Sequence, residues 1–371
     1  MKSIFIFVAA ILAVLSIYLS TKPSPSFKPP LIAGAYDKLH DAEVIHLPGE
    51  AVGPESIAFD PNGEGPYTGV SNGRILKWEG NEGWTEFAFT SPQRNECEGF
   101  YSPKMEHLCG RPLGLRFHPK TGDLYIANAY LGLQKVGPNG GLATQLITEA
   151  EGEPLSFTND LDIDKDEDVI YFTDSSTNFQ RRQFMSTVLS LDKTGRLMQY
   201  DISSKQVTVL LKGLLFPNGV ALSKDNTFLL IAETTTSRIL RLWLQGPKAG
   251  TLDVFTELPG FPDNIRRNSK GEFWVALYSK TGKVENWALS NPWFGKLFLK
   301  LPDRVKRLQS LIGEMKAHAT AVKLNEEGKV VEVLEDSQGR TLRFISEVEE
   351  NNGNLWFGSV LMPFMGRYNL H

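Results

Sequence analysis

Hydrophobic and polar positions alternate over short stretches of this chain, and the same pattern returns several times. In "ESIAFDPNGEGPYTGVSNGRILKW", which begins at Glu55, a short alternating segment is followed by a polar turn and a more apolar segment. Comparable stretches begin at Leu113, Asn159, Asn218 and Asp263, and a weaker one begins at Phe344. Alternation with a period of two is typical of strands that bury one face, so the pattern predicts short strands joined by tight turns.

The spacing of these repeats predicts the fold class. Most copies start about 45–60 residues apart, which is the scale of propeller blades. One four-stranded sheet cannot bury both of its faces, whereas blades stacked around an axis can, and stacking also protects strand edges. Six copies predict an all-β, six-bladed β-propeller over residues 41–371, because a sandwich does not explain the spacing and a parallel helix needs shorter coils. The strand-like "EVIHLPG", residues 43–49, precedes the first copy and is expected to complete the last blade.

A helical insertion is predicted within the fifth blade, over residues 283–318. Asp303 can cap a helix, and apolar residues recur after it at helical spacing. These apolar residues are Val305, Leu308, Ile312 and Met315. Three interpretations stay open: a helix packed on the propeller, a lid over the axial opening, and a membrane-contacting patch at residues 293–299.

The N-terminus predicts targeting to the secretory pathway. An apolar run at residues 4–19 follows a lysine, which indicates that residues 1–22 are a hydrophobic helix serving as a signal peptide or membrane anchor. The run is slightly shorter than the ~20 residues of a spanning helix, so cleavage and retention both stay open. Residues 23–40 predict a proline-rich linker. The endoplasmic reticulum, the vacuole and the cell exterior all remain candidate compartments.

Composition and cysteine content narrow the function classes. Hydrophobic residues make up 41% of the chain, enough for a full core, and the net charge is −4. No basic run has the length or aromatic spacing of a nucleic-acid site, so no nucleic-acid partner is expected. In a secretory chain the two cysteines, Cys97 and Cys109, suggest a disulfide, and neither a CxxC motif nor a Cys/His zinc spacing is present.

Oxygen-bearing side chains stand at the start of four repeats, at Glu55, Asn159, Asn218 and Asp263. Taken singly, each is an ordinary turn residue. In a propeller, however, the innermost strands line a central channel, so equivalent positions point at one place. Two converging carboxylates repel unless a cation lies between them, and carboxylate and amide oxygens are the ligands that Ca²⁺ prefers. With Asn264 adding a further oxygen, the set predicts a calcium site, and the lack of His or Cys disfavours zinc.

Several long stretches also carry a family resemblance. "CGRPLGLRFHPKTGDLYIANAYLGLQKVGPNGG", "KTGRLMQYD", "LLIAETTTSRILRLWLQGPKAGT" and "FPDNIRRNSKGEFWVA" resemble the strictosidine synthase-like family, which includes plant strictosidine synthases and animal adipocyte plasma membrane-associated proteins. The match runs from about residue 40 to the end of the chain. More distantly, the layout resembles paraoxonases, gluconolactonases and phosphotriesterase-type propellers. The resemblance implies six blades and supports a Cys97–Cys109 bridge.

Strictosidine synthases condense an arylethylamine with an aldehyde in a Pictet–Spengler reaction, and the resemblance implies that this chemistry is lost here. Their last-blade glutamate and nearby histidine correspond to Ser346 and Phe344, and their active-site tyrosine corresponds to Asn159. A register slip of one residue would substitute Glu347, but strand alternation is expected to turn that side chain to another face.

The hydrolase branch of the resemblance uses an axial calcium ion instead. Its ligands match the oxygen-bearing residues named above, although the catalytic histidine of paraoxonase-type lactonases is replaced by Leu113. We therefore expect a calcium-dependent, arylesterase-like hydrolase of small esters or lactones. Asp263 is the first candidate for the general base, Glu55 the second, and His318 the third if the insertion folds over the channel; His118 is expected in an exposed turn. A Pictet–Spengler synthase and a non-catalytic, calcium-stabilised binding propeller are the alternatives.

Overall fold

Short strands account for most of the structure, a computed structural model that describes residues 36–97, 103–164, 166–300 and 317–370. The predicted N-terminal helix, most of the linker and the helix expected after Asp303 lie outside these ranges. Among the residues described, no helix is long and apolar enough to cross a membrane.

The strands form six blades around one axis, each with four antiparallel strands. The first strands, which join later blades, are β1 (Tyr36–Asp37) and β2 (Glu43–His46). Blade 1 contains β3 (Ile57–Ala58), β4 (Tyr67–Gly69), β5 (Arg74–Trp78) and β6 (Trp84–Phe89). Blade 2 contains β7 (Pro112–Phe117), β8 (Leu124–Asn128), β9 (Gly132–Val136) and β11 (Thr144–Ile147). The short strand β10 (Gly141–Leu142) lies between β9 and β11 in the sequence, but it pairs in parallel with β6 of blade 1. A small hairpin follows, β12 (Glu149–Ala150) and β13 (Glu153–Pro154).

The later blades repeat this order. Blade 3 contains β14 (Thr158–Asp164), β15 (Val169–Asp174), β16 (Gly195–Asp201) and β17 (Val207–Leu214). Blade 4 contains β18 (Pro217–Leu222), β19 (Phe228–Glu233), β20 (Arg238–Trp243) and β21 (Leu252–Glu257). Blade 5 contains β22 (Gly260–Arg267), β23 (Phe273–Lys280), β24 (Ala319–Leu324) and β25 (Val330–Asp336). Blade 6 contains β26 (Ile345–Asn351), β27 (Asn354–Ser359) and β28 (Phe364–Asn369), with β2 as its outermost strand.

The first strand of every blade lies innermost, and these six strands form a closed ring. Each of β3, β7, β14, β18 and β22 contacts the next, and β26 contacts both β22 and β3. The strands approach so closely that a Cβ atom on Gly219 would lie 2.5 Å from the backbone nitrogen of Ile265 in the neighbouring blade. The predicted six-bladed propeller is confirmed.

The ring is closed by pairing the two ends of the described chain. β2 pairs antiparallel with β28, from Glu43 opposite Arg367 to His46 opposite Phe364, which confirms the predicted place of "EVIHLPG". Ile45 of β2 is buried against Trp356 and Met365, so closure is apolar as well as hydrogen-bonded. Without β2 the outer edge of blade 6 would present unpaired backbone groups.

Over the part of the chain that the structure describes, helices and 3₁₀ turns lie only in the connections between strands. The helices are α1 (Arg94–Cys97), α2 (Glu106–Cys109), α3 (Phe184–Leu189), α4 (Lys283–Ser290) and α5 (Pro292–Leu299). The 3₁₀ turns are Leu39–Asp41, Gly80–Glu82, Arg181–Gln183, Thr234–Thr236 and Gly246–Lys248. The predicted disulfide, Cys97–Cys109, joins α1 to α2.

The insertion of blade 5 begins with α4 and α5, which contact each other and α3 of blade 3. Because β22 runs away from Asp263 and β23 runs back, the β23–β24 connection emerges at the Asp263 end of the propeller. In blade 3, β15 likewise runs back toward the start of β14, so α3, which connects β15 to β16, lies at the same end of the propeller. Three helices therefore gather on the face nearest the oxygen-bearing residues, where Trp293 of α5 is 58% exposed.

Candidate metal centre on the propeller axis

Five of the six inner strands are irregular at the repeat-start position. The pairing register shifts there in β7, β14, β18, β22 and β26. In β22, for example, Pro262 and Ile265 are paired, and Asp263 and Asn264 lie unpaired between them. An irregularity of this kind bends a strand and re-aims its side chains, and it suspends strict alternation between faces.

The irregularities bring side chains from several blades together; we call Glu55, Asn159, Asn218, Asp263 and Asn264 the axial site. The Nδ2 of Asn218 donates to Oδ1 of Asp263 at 2.6 Å, across blades 4 and 5. The Nδ2 of Asn264 lies 3.4 Å from Oε1 of Glu55 in blade 1. Asn159 of blade 3 binds Ser175, whose hydroxyl donates to the carbonyl of Pro217, next to Asn218. All five residues are buried.

Four oxygen atoms of the axial site are buried without a hydrogen-bond donor. They are Oε2 of Glu55 and the Oδ1 atoms of Asn159, Asn218 and Asn264. An unsatisfied buried polar atom costs about 1–3 kcal/mol, so four at one place require an explanation. Coordination of a hard cation would satisfy all four, and the residues present therefore fit a calcium ion.

The raised pKa values of the two carboxylates in the axial site also favour a bound cation. Burial, reinforced by the charge of Asp263, raises the pKa of Glu55 well above its ordinary value. Burial raises the pKa of Asp263 to about 7, although the hydrogen bond from Asn218 opposes this. Two carboxylates held together in a low-dielectric interior disfavour ionisation of both, and a divalent cation removes that penalty.

The buried ionisable groups near the axis have a net negative charge that a dication would neutralise. The buried carboxylates are those of Glu55, Asp160, Asp263 and Glu347. The guanidinium groups of Arg266 and Arg111 are also buried, and the charge of Arg111 lowers the pKa of Glu55. With all six groups ionised, two negative charges remain.

The donor set also restricts the kind of metal. Over the ranges that the structure describes, no three His, Cys, Asp or Glu side chains gather as a metal-binding group. The axial site instead offers two carboxylates and three amides, which suit a hard, oxygen-seeking cation.

Blade 2 contributes an apolar wall instead of a ligand. Leu113 is buried in a cluster with Ala129, Phe157 and Phe216. Phe157 and Phe216 each lie two residues before an asparagine of the axial site, with ring centroids 5.4 Å apart. Val188 of α3 packs on the same cluster, so the helices on this face extend the apolar surface toward the axis.

An ion pair above the axial site was not predicted from the sequence. Glu106, inside the disulfide loop, accepts a hydrogen bond from Nη1 of Arg181 at 2.8 Å and another from the hydroxyl of Tyr130 at 2.7 Å. The positive charge of Arg181 lowers the pKa of Asp263, so this guanidinium lies near the axial carboxylate. No local motif marks these residues, since they come from three separate connections.

The expectation that Glu347 would face away from the axis is wrong. The register of β26 shifts between Ile345 and Glu347, so both Ser346 and Glu347 point inward. Ser346 donates to the backbone oxygen of Glu55 at 3.0 Å, and Glu347 accepts from Nε of Arg266 at 2.5 Å. Burial raises the pKa of Glu347 to about 8, against the opposing charge of Arg266.

The two histidines named from the sequence lie in structural settings. His318 is buried beside β24, where its Nε2 accepts from the backbone of Lys280 at 3.0 Å. His118, which was expected to be exposed, is only 3% exposed and lies 3.1 Å from Asp168. That expectation was wrong because the β7–β8 turn folds back over its own first residue, with backbone groups of Lys120 and Thr121 facing the ring.

The fold and the axial site together define the class: a six-bladed propeller with an oxygen-lined centre at one end of its axis. A sequence model of strictosidine synthase matches residues 159–247, and a model of the strictosidine synthase-like N-terminal region matches residues 36–78. Strictosidine synthase-like protein 10 of Arabidopsis thaliana is 62% identical over 100% of both chains. The adipocyte plasma membrane-associated protein of Salmo salar is 37% identical over 92% of this chain and 82% of its own. This chain belongs to the strictosidine synthase-like family.

Solved structures extend the comparison at the level of fold. A gluconolactonase from Xanthomonas campestris superposes with a TM-score of 0.58 over 95% of this chain and 99% of its own, at 14% identity. A luciferin-regenerating enzyme superposes with a TM-score of 0.55 over 88% of this chain and 94% of its own, at 12% identity. At these identities the likeness concerns the propeller fold alone.

Proposed function

We propose that this protein is a calcium-dependent hydrolase of small esters or lactones, with the ion held by the axial site. The observation that carries the proposal is the set of four buried oxygens without donors, contributed by four blades. The gluconolactonases that share the fold make lactones a reasonable substrate class. Entry into the secretory pathway, and membrane association through residues 4–19 or 293–299, remain predictions from the sequence.

A bound calcium ion would polarise the carbonyl group of the substrate and stabilise the negative charge that develops on its oxygen. Asp263 is our candidate for the general base. Its Oδ1 is held by Asn218, which leaves Oδ2 to take a proton from an attacking water. Asp263 is also the most exposed residue of the axial site, at 7%, whereas Glu55 is 1% exposed, so solvent reaches Asp263 more readily.

The surrounding residues suit a substrate with an apolar part. Leu113, Phe157 and Phe216 would hold an aryl or alkyl group and exclude water from one side. Arg181, already oriented by Glu106, would steer the polar end of the substrate toward Asp263. A Pictet–Spengler synthase is less well supported, since the last-blade carboxylate of Glu347 is engaged by Arg266.

The test is hydrolysis of aryl esters and lactones by the full chain, with calcium, with a chelator, and as Asp263→Asn. Hydrolysis that needs calcium, and that the substitution reduces by about 10²-fold or more, is the expected result. Calcium that raises the melting temperature without any turnover would instead support a calcium-stabilised binding propeller. An absence of any calcium effect on activity or stability would reject the metal site.

A further inference from the structure

We propose that Arg266 is the positioning residue of the axial site: its buried guanidinium holds the ligand-bearing segments of the inner strands in place. This inference rests on the proposed metal site but not on the proposed hydrolysis. The side chain of Arg266 is 1% exposed, and it projects from β22 two residues after Asn264. In this role Arg266 makes no contact with substrate.

The direct contacts of Arg266 reach three other inner strands. Its Nη1 and Nη2 donate to both carboxylate oxygens of Asp160 in β14, at 2.5 and 2.8 Å. Its Nε donates to Glu347 of β26 at 2.5 Å, and its Nη2 lies 3.4 Å from the hydroxyl of Ser56, beside β3. A planar fork with five donors can span three strands in this way, whereas a lysine ammonium is a single point charge.

Two further hydrogen bonds extend the network to the remaining blades. The backbone nitrogen of Val220, in β18, donates to Oδ2 of Asp160 at 2.9 Å. The backbone nitrogen of Leu115, in β7, donates to the hydroxyl of Ser56 at 3.1 Å. Arg266 is thus linked, directly or through one side chain, to an inner segment of every blade.

Two partners of Arg266 directly follow residues of the axial site, and the third follows a residue that binds the backbone of one. Asp160 follows Asn159, and Ser56 follows Glu55. Glu347 follows Ser346, whose hydroxyl binds the backbone oxygen of Glu55. A rotation of any of these segments would therefore change both a bond to Arg266 and the direction of a ligand oxygen. A cation site tolerates only a few tenths of an ångström of such movement, so the network should set affinity and not only stability.

The buried carboxylates around Arg266 also require a positive charge at its position. Asp160 and Glu347 are fully buried and would repel each other and the carboxylates of the axial site if Arg266 were absent. Removal of the guanidinium alone would leave these charges unpaired and could prevent folding. The informative variants are therefore Arg266→Lys, which keeps the charge and loses the fork, and the neutral triple variant Arg266→Met with Asp160→Asn and Glu347→Gln.

Arg241→Lys is the matched control. Like Arg266, Arg241 holds both oxygens of one carboxylate, since its Nε and Nη2 donate to Asp253 at 3.0 and 3.1 Å. These bonds join β20 to β21, the outermost strand of blade 4, and reach no inner strand. The control loses the same planar fork and should leave ion binding unchanged.

The experiment measures ion binding by the folded full chain, well below its melting temperature. Calcium affinity is obtained by titration calorimetry, and terbium luminescence lifetimes in H₂O and D₂O count the waters left on the bound ion. We expect Arg266→Lys and the triple variant to weaken calcium binding at least tenfold and to add at least one bound water, with Arg241→Lys matching the wild type. A purely structural role would lower the melting temperature without changing either readout.

The outcomes separate this inference from the proposed function. If the wild type binds no ion, the metal site and the role of Arg266 fail together. If the wild type binds calcium and a folded Arg266 variant binds it equally well with the same hydration, only the role of Arg266 is overturned. If binding weakens as expected and no substrate is hydrolysed, the role of Arg266 stands and the hydrolase proposal falls.

Discussion

Asp263→Asn should stabilise this protein in the absence of calcium and should remove most of the extra stability that calcium gives the wild type. The substitution keeps an oxygen that can accept the hydrogen bond from Asn218, now at 2.6 Å, and it removes one negative charge from the axis. Without an ion, the negative charge of Asp263 destabilises the folded state because it is buried beside Glu55. With an ion, the same charge is one of the two that hold it.

The size of the first effect follows from the pKa of Asp263, which burial raises from an ordinary value of 3.8 to about 7. At about 1.36 kcal/mol per pKa unit, keeping this carboxylate ionised at pH 8 costs the folded state about 4 kcal/mol. The introduced amide would itself be desolvated, so we expect Asp263→Asn to gain about 2–4 kcal/mol in chelator.

The second effect follows from mass action. Calcium at 100 times its dissociation constant stabilises the wild type by about 2.7 kcal/mol. If the substitution weakens binding 100-fold, the same calcium concentration adds only about 0.4 kcal/mol. Urea unfolding of both proteins, each with calcium and with chelator, measures the four values directly.

Asp253→Asn is the control for this pair of effects. Asp253 accepts hydrogen bonds from Arg241 and Trp243 at the outer edge of blade 4, and these partners hold its pKa below its ordinary value. Its loss should lower stability slightly and leave the calcium response unchanged. Destabilisation of Asp263→Asn in chelator, or an undiminished calcium response, would refute the electrostatic account of the axial site.

Three further predictions concern pH, the disulfide and the closure of the ring. In chelator, the free energy of unfolding should fall as pH rises from about 4 to 7, because the folded chain keeps a proton on Asp263 that the unfolded chain has released. Urea titrations at several pH values measure this slope, and Asp263→Asn should remove the part of it that Asp263 contributes. Replacing Cys97 and Cys109 together by serine should cost about 3 kcal/mol, measured the same way, since the bridge spans 12 residues. Ile45→Ala should cost about 2–5 kcal/mol by opening a cavity where β2 closes the ring, whereas Val331→Ala, 49% exposed, should cost far less; equal losses would contradict the closure.

Some features of the site were readable from the repeats, and others were not. Glu55, Asn159, Asn218 and Asp263 stand at equivalent places in four of the six repeats, so a propeller fold alone predicts that they converge. The inward direction of Glu347 was missed because strand alternation predicts another face, and the irregularity in β26 suspends alternation at that point. His118 was placed in an exposed turn because a turn motif does not reveal whether the chain folds back over it.

The sequence by itself determined the class of fold, the number of blades, the closure by β2 and the candidate ligands. These features are written in local patterns: a period of two within strands, polar turns between them, and a repeat of about 45–60 residues. Only the tertiary structure decided which side chains meet. Arg266 binds Asp160 across 106 residues of chain and lies against Ser56 across 210, and Glu106 reaches Arg181 across 75. Such pairs arise only when the ring closes and brings distant strands to one axis, and no local propensity encodes that proximity.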